Sequence, residues 1–310
     1  MQKPPFKASY LHPKFWPLWL VWSLIWSIAQ LPYKWQLALG KGLGLLLYKG
    51  LKSRRRVAEV NIALCFPELS AQEQQQLVRK TFIDNATGFF ETMIGWYRPA
   101  NYLVDRTEYH GFEHIEAAKQ QGKGVLFLGA HYSMLDLAGT LFCQKEPVII
   151  TYKRQHNPVL NYIMEAGRAR TYKHMYPSKE IRQVIRALQE GESVWYAPDQ
   201  DFGFKNTVFA DFFGVPAASL TMTTHLAAAG NAVVLPITYF RKEDNSGYEI
   251  RVFPPLDIPG TNEQADALLV NQFIEQQIRT HPSQYLWLHK RFKSQPGEEN
   301  QRGRLYKKAK

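Results

Sequence analysis

The amino-acid sequence predicts an α/β fold: a mixed, largely parallel sheet flanked by helices, preceded by an N-terminal membrane helix. Strand-like apolar runs alternate with segments of helical spacing from residue 125 onward, which is how a parallel sheet with crossover helices is written. Residues 15–31 carry no charge and contain four tryptophans, between Lys14 and Lys34, as a membrane segment would. Hydrophobic residues make up 45% of the 310-residue chain and aromatics 14%, enough for a core and an amphipathic surface together.

A 17-residue helix over 15–31 rises about 26 Å, slightly under the ~30 Å hydrocarbon thickness, so spanning and in-plane insertion both stay open. The run has no small-x-small cleavage site and continues into Pro32, Tyr33 and Lys34, which argues against a cleavable signal peptide. More basic residues follow the run than precede it, placing the remainder on the cytoplasmic side. Residues 34–52 suit a second helix at the membrane surface or an ordinary core helix. The Arg54-Arg55-Arg56 triplet is either a lipid-phosphate contact or a solvated basic run. Residues 1–53 thus form a membrane-associated helical segment, 54–296 the main domain, and 297–310 a polar, basic tail read as mobile.

Within the main domain, Ser70 with Glu73 three residues on is a capping box opening a helix that continues to Trp96 and stops before Pro99. Strands are predicted at 125–129, 148–152, 193–197, 233–240 and 249–253. The last two pair across the polar KEDNSG turn. Helices are predicted at 135–143, 158–169, 178–191, 217–229 and 263–280.

Lys and Arg exceed Asp and Glu by 38 to 27, which favours anionic partners: phospholipid head groups, nucleic acid or an acidic carrier protein. Cys65 and Cys143 are the two cysteines, too few and too isolated for a disulfide scaffold or a metal site. Phosphate-loop, dinucleotide, nucleophile-elbow and zinc-helix motifs are absent. His110 and His114 lack further ligand spacing, so no metal and no bound cofactor are implied.

Gly129-Ala-His131-Tyr-Ser-Met-Leu-Asp136 lies between a strand and a helix, at the strand end where open α/β sheets place active sites. Five residues on one helix would put His131 and Asp136 about 140° apart. With His131 on the loop and Asp136 opening the helix they can pair, and the carboxylate then fixes the imidazole tautomer for general-base work. A loop histidine beside a helix cap is the competing reading.

The Gly124–Asp136 block resembles that of lysophospholipid and glycerolipid acyltransferases, and the wider set resembles the bacterial lipid A late acyltransferases. Its other members are Arg56-Val-Ala-Glu-Val-Asn61 into Cys65-Phe-Pro-Glu-Leu-Ser70, Gly111-Phe-Glu-His114, Tyr152-Lys-Arg154 through Asn157-Pro158 to Arg168, Pro198-Asp-Gln-Asp201-Phe-Gly203, Phe212-Phe-Gly-Val-Pro216 and Trp287-Leu-His289-Lys-Arg-Phe-Lys293. These blocks follow the family's order over nearly the whole chain. Many members carry Glu where this chain has Asp136.

The resemblance implies a glycerolipid acyltransferase-like fold and transfer of a fatty acyl group from acyl carrier protein to the 3-hydroxyl of an acyl chain on the anionic lipid A precursor. It implies work at the cytoplasmic face of the bacterial inner membrane, with no nucleic acid involved. His131 and Asp136 are the expected catalytic pair. Arg168, and behind it Arg154 and Arg170, are candidates for substrate phosphate or transition-state contacts. Asp199 and Asp201 either support the site through salt bridges to those arginines or form an Asx turn. Phe202, Phe204, Phe209, Phe212 and Phe213 are candidate walls of an acyl tunnel, or ordinary core. Trp287, His289 and Arg291 match the family without a chemical role. The alternatives are an acyl-CoA-dependent enzyme for a lysophospholipid or glycosylated phosphatidylinositol acceptor, and a non-catalytic basic protein binding lipid or nucleic acid at a membrane.

Overall fold

The computed structural model describes residues 4–260 and 262–307. Four helices open the chain: α1 (Trp16–Ala29), α2 (Tyr33–Gly50), α3 (Lys52–Cys65) and α4 (Ala71–Tyr97). The Ser70–Glu73 capping box starts α4 as the sequence predicts: each side chain bonds the other residue's backbone N–H. The alternation then runs β1 (Thr107–His110), α5 (Glu113–Gln120), β2 (Gly124–Leu128), α6 (Leu135–Phe142), β3 (Ile149–Tyr152), α7 (Pro158–Arg168), β4 (His174–Pro177), α8 (Ile181–Gln189) and β5 (Ser193–Tyr196). It closes with β6 (Thr207–Phe212), β7 (Val215–Leu220), α9 (Met222–Gly230), β8 (Ala232–Arg241), β9 (Tyr248–Val252) and α10 (Glu263–Thr280).

Seven strands form one sheet in the order β1-β9-β8-β2-β5-β3-β4. From β8 to β4 all neighbours are parallel, and β9 turns back antiparallel to β8 with β1 parallel to it. The largely parallel sheet is therefore as predicted. β2 sits in the middle with all five residues buried, as a strand covered on both faces must be.

The N-terminal membrane helix is not found. No helix among the described residues is long and apolar enough to cross a membrane. The uncharged run breaks after Ala29, and its 14-residue helix rises about 21 Å, well short of the hydrocarbon thickness. One side of α1 is also committed to protein: Leu18, Trp19, Trp22 and Ile25 pack around the buried Met93, Trp96, Val159 and Ile163. The other side leaves Trp16, Leu20, Val21, Leu24 and Trp26 at least half exposed.

Three further differences bear on the site. Residues 217–220, read as helical, are the second strand of the β6–β7 hairpin, whose Phe213-Gly214 turn takes positive φ at both residues. The short strands β1 and β4 escape the periodicity reading. The tail read as mobile packs on the body as far as Tyr306, which is buried, with its hydroxyl donating to Asn61 Oδ1 at 2.6 Å.

Candidate active site

His131 lies three residues beyond Leu128, the last residue of β2, and Asp199 lies three beyond Tyr196, the last of β5. Leu128 and Tyr196 are register partners. Equal overhangs from paired strand ends bring the two side chains together: Nδ1 of His131 is 2.6 Å from Asp199 Oδ1, and the His131 backbone N–H donates to Asp199 Oδ2 at 2.9 Å. One carboxylate thus fixes both ring and main chain. With Nδ1–H donated to Asp199, Nε2 is the imidazole's basic nitrogen, and it has no protein partner among the described residues.

The expected His131–Asp136 pair is therefore replaced by two separate pairs. Asp136, the second residue of α6, accepts a bidentate fork from Arg168, the last residue of α7, with Nε to Oδ1 at 2.7 Å and Nη2 to Oδ2 at 2.9 Å. A guanidinium that can meet both oxygens in one plane outcompetes a ring nitrogen for the same carboxylate. His131, Asp136 and Arg168 all line a cavity of about 490 Å³. Its other walls are mainly apolar and include Ile150, Ile181, Trp195, Leu220, Met222 and Leu226. Lys153 and Lys205 also line it and make no ion pair among the described residues.

The electrostatics suit a buried base. Burial pulls the His131 pKa down, but the charge and hydrogen bond of Asp199 outweigh it and leave the imidazole above its ordinary value, against a smaller opposing pull from Arg168. Burial likewise opposes the Asp199 charge, yet His131 and its hydrogen bonds hold that carboxyl down at about 2. Arg168 stays charged because the Asp136 carboxylate outweighs its desolvation.

The remaining candidates divide. Asp201 makes no bridge to Arg154, Arg168 or Arg170. It accepts from Gly203 N–H as an Asx turn and from the backbone and hydroxyl of Ser294, with Arg302 at 3.7 Å. Arg154 is exposed near the Tyr152 hydroxyl and does not line the cavity. Arg170 lies on the far side of the end of α7, against α4. Of the five phenylalanines, Phe202 lines the cavity, whereas Phe212 and Phe213 are core. Glu108, His110 and Glu249 gather within 4.8 Å of one another, but Lys242 and Arg251 already neutralise the two carboxylates.

The C-terminal block has a function that no motif revealed. Residues 284–294 run behind the His131 loop: Leu286 N–H donates to His131 O at 3.0 Å and Ser133 N–H to Gln284 O at 2.7 Å. The Tyr285 hydroxyl reaches Asp199 O at 3.4 Å. Asn61 on α3 holds this strap through Trp287 O and His289 O at 2.8 and 2.7 Å. Arg291 is buried, bonded to Ala218 O at 2.7 Å and stacked over Phe212.

A sequence model of the bacterial lipid A biosynthesis acyltransferases matches residues 3–294. The chain is 38% identical over 295 residues to the lipid A biosynthesis lauroyltransferase of Escherichia coli K12, covering 94% of this chain and 96% of that one. It is 34% identical to the palmitoleoyltransferase of the same organism, over 95% and 97% of the two chains. A Haemophilus influenzae lipid A biosynthesis acyltransferase shares 32% identity over 96% of each chain. By matches of this length and strength, the chain belongs to the bacterial lipid A biosynthesis acyltransferase family.

Proposed function

We propose that this protein transfers a fatty acyl chain from acyl carrier protein to the 3-hydroxyl of an acyl chain on the lipid A precursor, with His131 as general base. The observation that carries the reading is the Asp199–His131 pair, which frees Nε2 beside a largely apolar cavity. Nε2 takes the proton of the acceptor hydroxyl as its oxygen attacks the thioester carbonyl. The imidazolium so formed is stabilised by Asp199. Collapse of the tetrahedral intermediate expels the carrier thiolate, and the proton on His131 returns to it.

Negative charge on the carbonyl oxygen needs a donor. Arg168 can supply one, because Nε and Nη2 are spent on Asp136 while the guanidinium still lines the cavity. Asp136 then acts through Arg168, as a positioning carboxylate. Lys153 and Lys205, without an ion pair among the described residues, suit the phosphate of the donor's prosthetic arm, and the chain's formal +11 would steer both an acidic carrier and an anionic glycolipid.

The same reading puts the enzyme on the cytoplasmic face of the inner membrane, with α1 and α2 lying on the lipid surface instead of crossing it. Their exposed Trp16, Leu20, Leu24, Trp35 and Leu46, together with the exposed Lys34, Lys41 and Lys49, have the composition of an interfacial surface.

Transfer of labelled acyl chain from acyl carrier protein to lipid A precursor, in detergent, tests the function. His131→Ala should lose about 10³-fold or more in rate while remaining folded. Near-normal transfer by the folded variant contradicts the mechanism. Transfer from acyl-CoA to a lysophospholipid at a higher rate would replace the substrate assignment.

A further inference from the structure

One side of the rim of the cavity at His131 is built where β3 and β4 end side by side. Tyr152 and Pro177 are register partners, and Ser178 N–H donates to Tyr152 O at 2.8 Å, so the chain leaves the two strands as neighbours. Lys153 and Ser178 line the cavity. Arg154 and Lys179, next to them in the chain, are exposed. Arg182 is exposed on the first turn of α8, beside Ile181 in the lining. Lys205, from the segment after β5, lines the same cavity.

Local structure does not account for these cations. Lys173 and Arg186, close by in the chain, pair with Glu192 and Glu190. None of the five rim cations makes an ion pair among the described residues. Arg154 leans on the Tyr152 hydroxyl with Glu165 and Glu180 nearby, and Glu180 accepts from Gln183. Lys179 and Arg182 also flank the start of α8, where the helix dipole disfavours positive charge. Like charges gathered in this way cost the folded chain self-repulsion that an acidic partner offsets.

We propose that Lys179 and Arg182, with Arg154 beside them, form the docking surface for the acidic face of the carrier protein, while Lys153 and Lys205 hold the phosphate of its arm. The surface deepens the donor assignment made above and rests on it. A folded protein cannot enter a cavity of about 490 Å³, so a thioester reaches Nε2 of His131 only from a carrier seated on the rim. A bilayer fits this rim less well. No large apolar side chain is exposed over 153–156 or 178–183, whereas α1 and α2 expose Trp16, Leu20, Leu24, Trp35 and Leu46, and an interfacial surface needs apolar residues beside its basic ones.

Steady-state transfer from acylated carrier protein to lipid A precursor, by the full chain in detergent, tests the surface. Lys179→Glu combined with Arg182→Glu should raise KM for the carrier about tenfold or more at low ionic strength, with kcat and KM for the precursor little changed. The gap from wild type should narrow at about 0.5 M salt, where exposed charges are screened. Acids at the start of α8 suit its dipole, so this variant should melt no lower than wild type. Lys123→Glu combined with Lys145→Glu, at the opposite end of the strands, makes the same change in net charge and should leave KM for the carrier near its wild-type value. An unchanged carrier KM in the first variant, an equal rise in the second, a gap indifferent to salt, or a rise in KM for the precursor instead overturns the surface. Wild type that takes no acyl group from the carrier overturns the proposed function and the surface together, so the two failures are distinguishable.

Discussion

At the scale of single residues, two carboxylates that the sequence presents as rivals take separate partners. Asp199 serves His131, and Asp136 serves Arg168. Arg168→Ala should lower kcat/KM for acyl transfer by about 10²-fold, because a transition-state donor is lost, and should also destabilise the fold by about 1–3 kcal/mol, because the largely buried Asp136 carboxylate is left without its partner. Arg168→Lys should recover little, since an ammonium cannot reproduce the planar fork on Asp136. Asp136→Ala should depress activity and also destabilise the fold by about 1–3 kcal/mol, as it leaves a largely buried guanidinium without its acceptor. Steady-state kinetics beside thermal melts of the three variants separate these effects, and an unchanged rate for Arg168→Ala would return that residue to an ordinary ion pair. His131 was legible in the sequence because a histidine directly after an apolar strand is a local signal. Its partner was not, because Asp199 is 68 residues away and only the pairing of β2 with β5 reveals that both stand three residues past partnered strand ends. Local spacing therefore favoured Asp136, the nearer acid, in the same way that it offered Asp199 and Asp201 to the arginines.

At the scale of elements, the alternation of strands and helices was readable wherever a segment had one buried face over a full period. The capping box at Ser70 and the helix over 263–280 show this. Segments whose composition conflicts with their tertiary partner escape a local reading: Ala217-Ala-Ser-Leu220 is read as the start of a helix over 217–229, but its pairing with β6 makes it strand, a tertiary override of a weak local preference. The membrane helix failed for a related reason. An uncharged, Trp-rich run suits a bilayer and a protein groove equally, and half of α1 is spent on α4 and α7. Contact between α4 and the His131 loop gives a direct test. A Cβ on Gly88 would fall 2.0 Å from the Ser133 carbonyl oxygen, two residues from His131, and backbone cannot swing away as a side chain can. Gly88→Ala should thus cost about 1–3 kcal/mol in stability and reduce activity beyond what the loss of folded protein explains. A variant with normal melting and normal turnover would show that the loop is not braced by α4.

At the scale of the whole molecule, segments far apart in the chain meet behind the site. The strap of residues 284–294 supports the His131 loop and Asp199, α3 supports the strap through Asn61, and Tyr306 closes the set on Asn61. The resemblance of the Trp287–Lys293 block to the family was visible in the sequence, but its role was not, because hydrogen bonds to backbone carbonyls leave no pattern of side-chain spacing. The lipid-facing role proposed for α1 and α2 would be a property of the assembled surface as well. Leu20→Glu combined with Leu24→Glu replaces the two most exposed leucines of α1 and should lower partitioning onto anionic vesicles by at least about tenfold, since each loses roughly 1.5–3 kcal/mol of apolar burial. Acyl transfer to a detergent-dispersed acceptor should persist. Undiminished vesicle binding by this variant would move the docking surface elsewhere.

The central claim is that His131 acts as a base held by Asp199, and the pH profile of kcat/KM addresses it most directly. A general base works only when neutral, so the rate should climb with pH through the His131 pKa and level off above it. Asp199 raises that pKa above its ordinary value, so the rising limb of the wild-type profile should lie above about 6.5. Asp199→Asn removes the charge that lifts it. That variant should be slower at every pH, because an amide neither stabilises the imidazolium nor favours the working tautomer, and its limb should move to lower pH as burial and Arg168 act unopposed. Asp136→Asn should leave the limb close to its wild-type position, with only a small downward move from the Arg168 charge that it leaves uncompensated. A limb that shifts well down with Asp136→Asn and stays fixed with Asp199→Asn would contradict the assignment and restore Asp136 as the partner of His131.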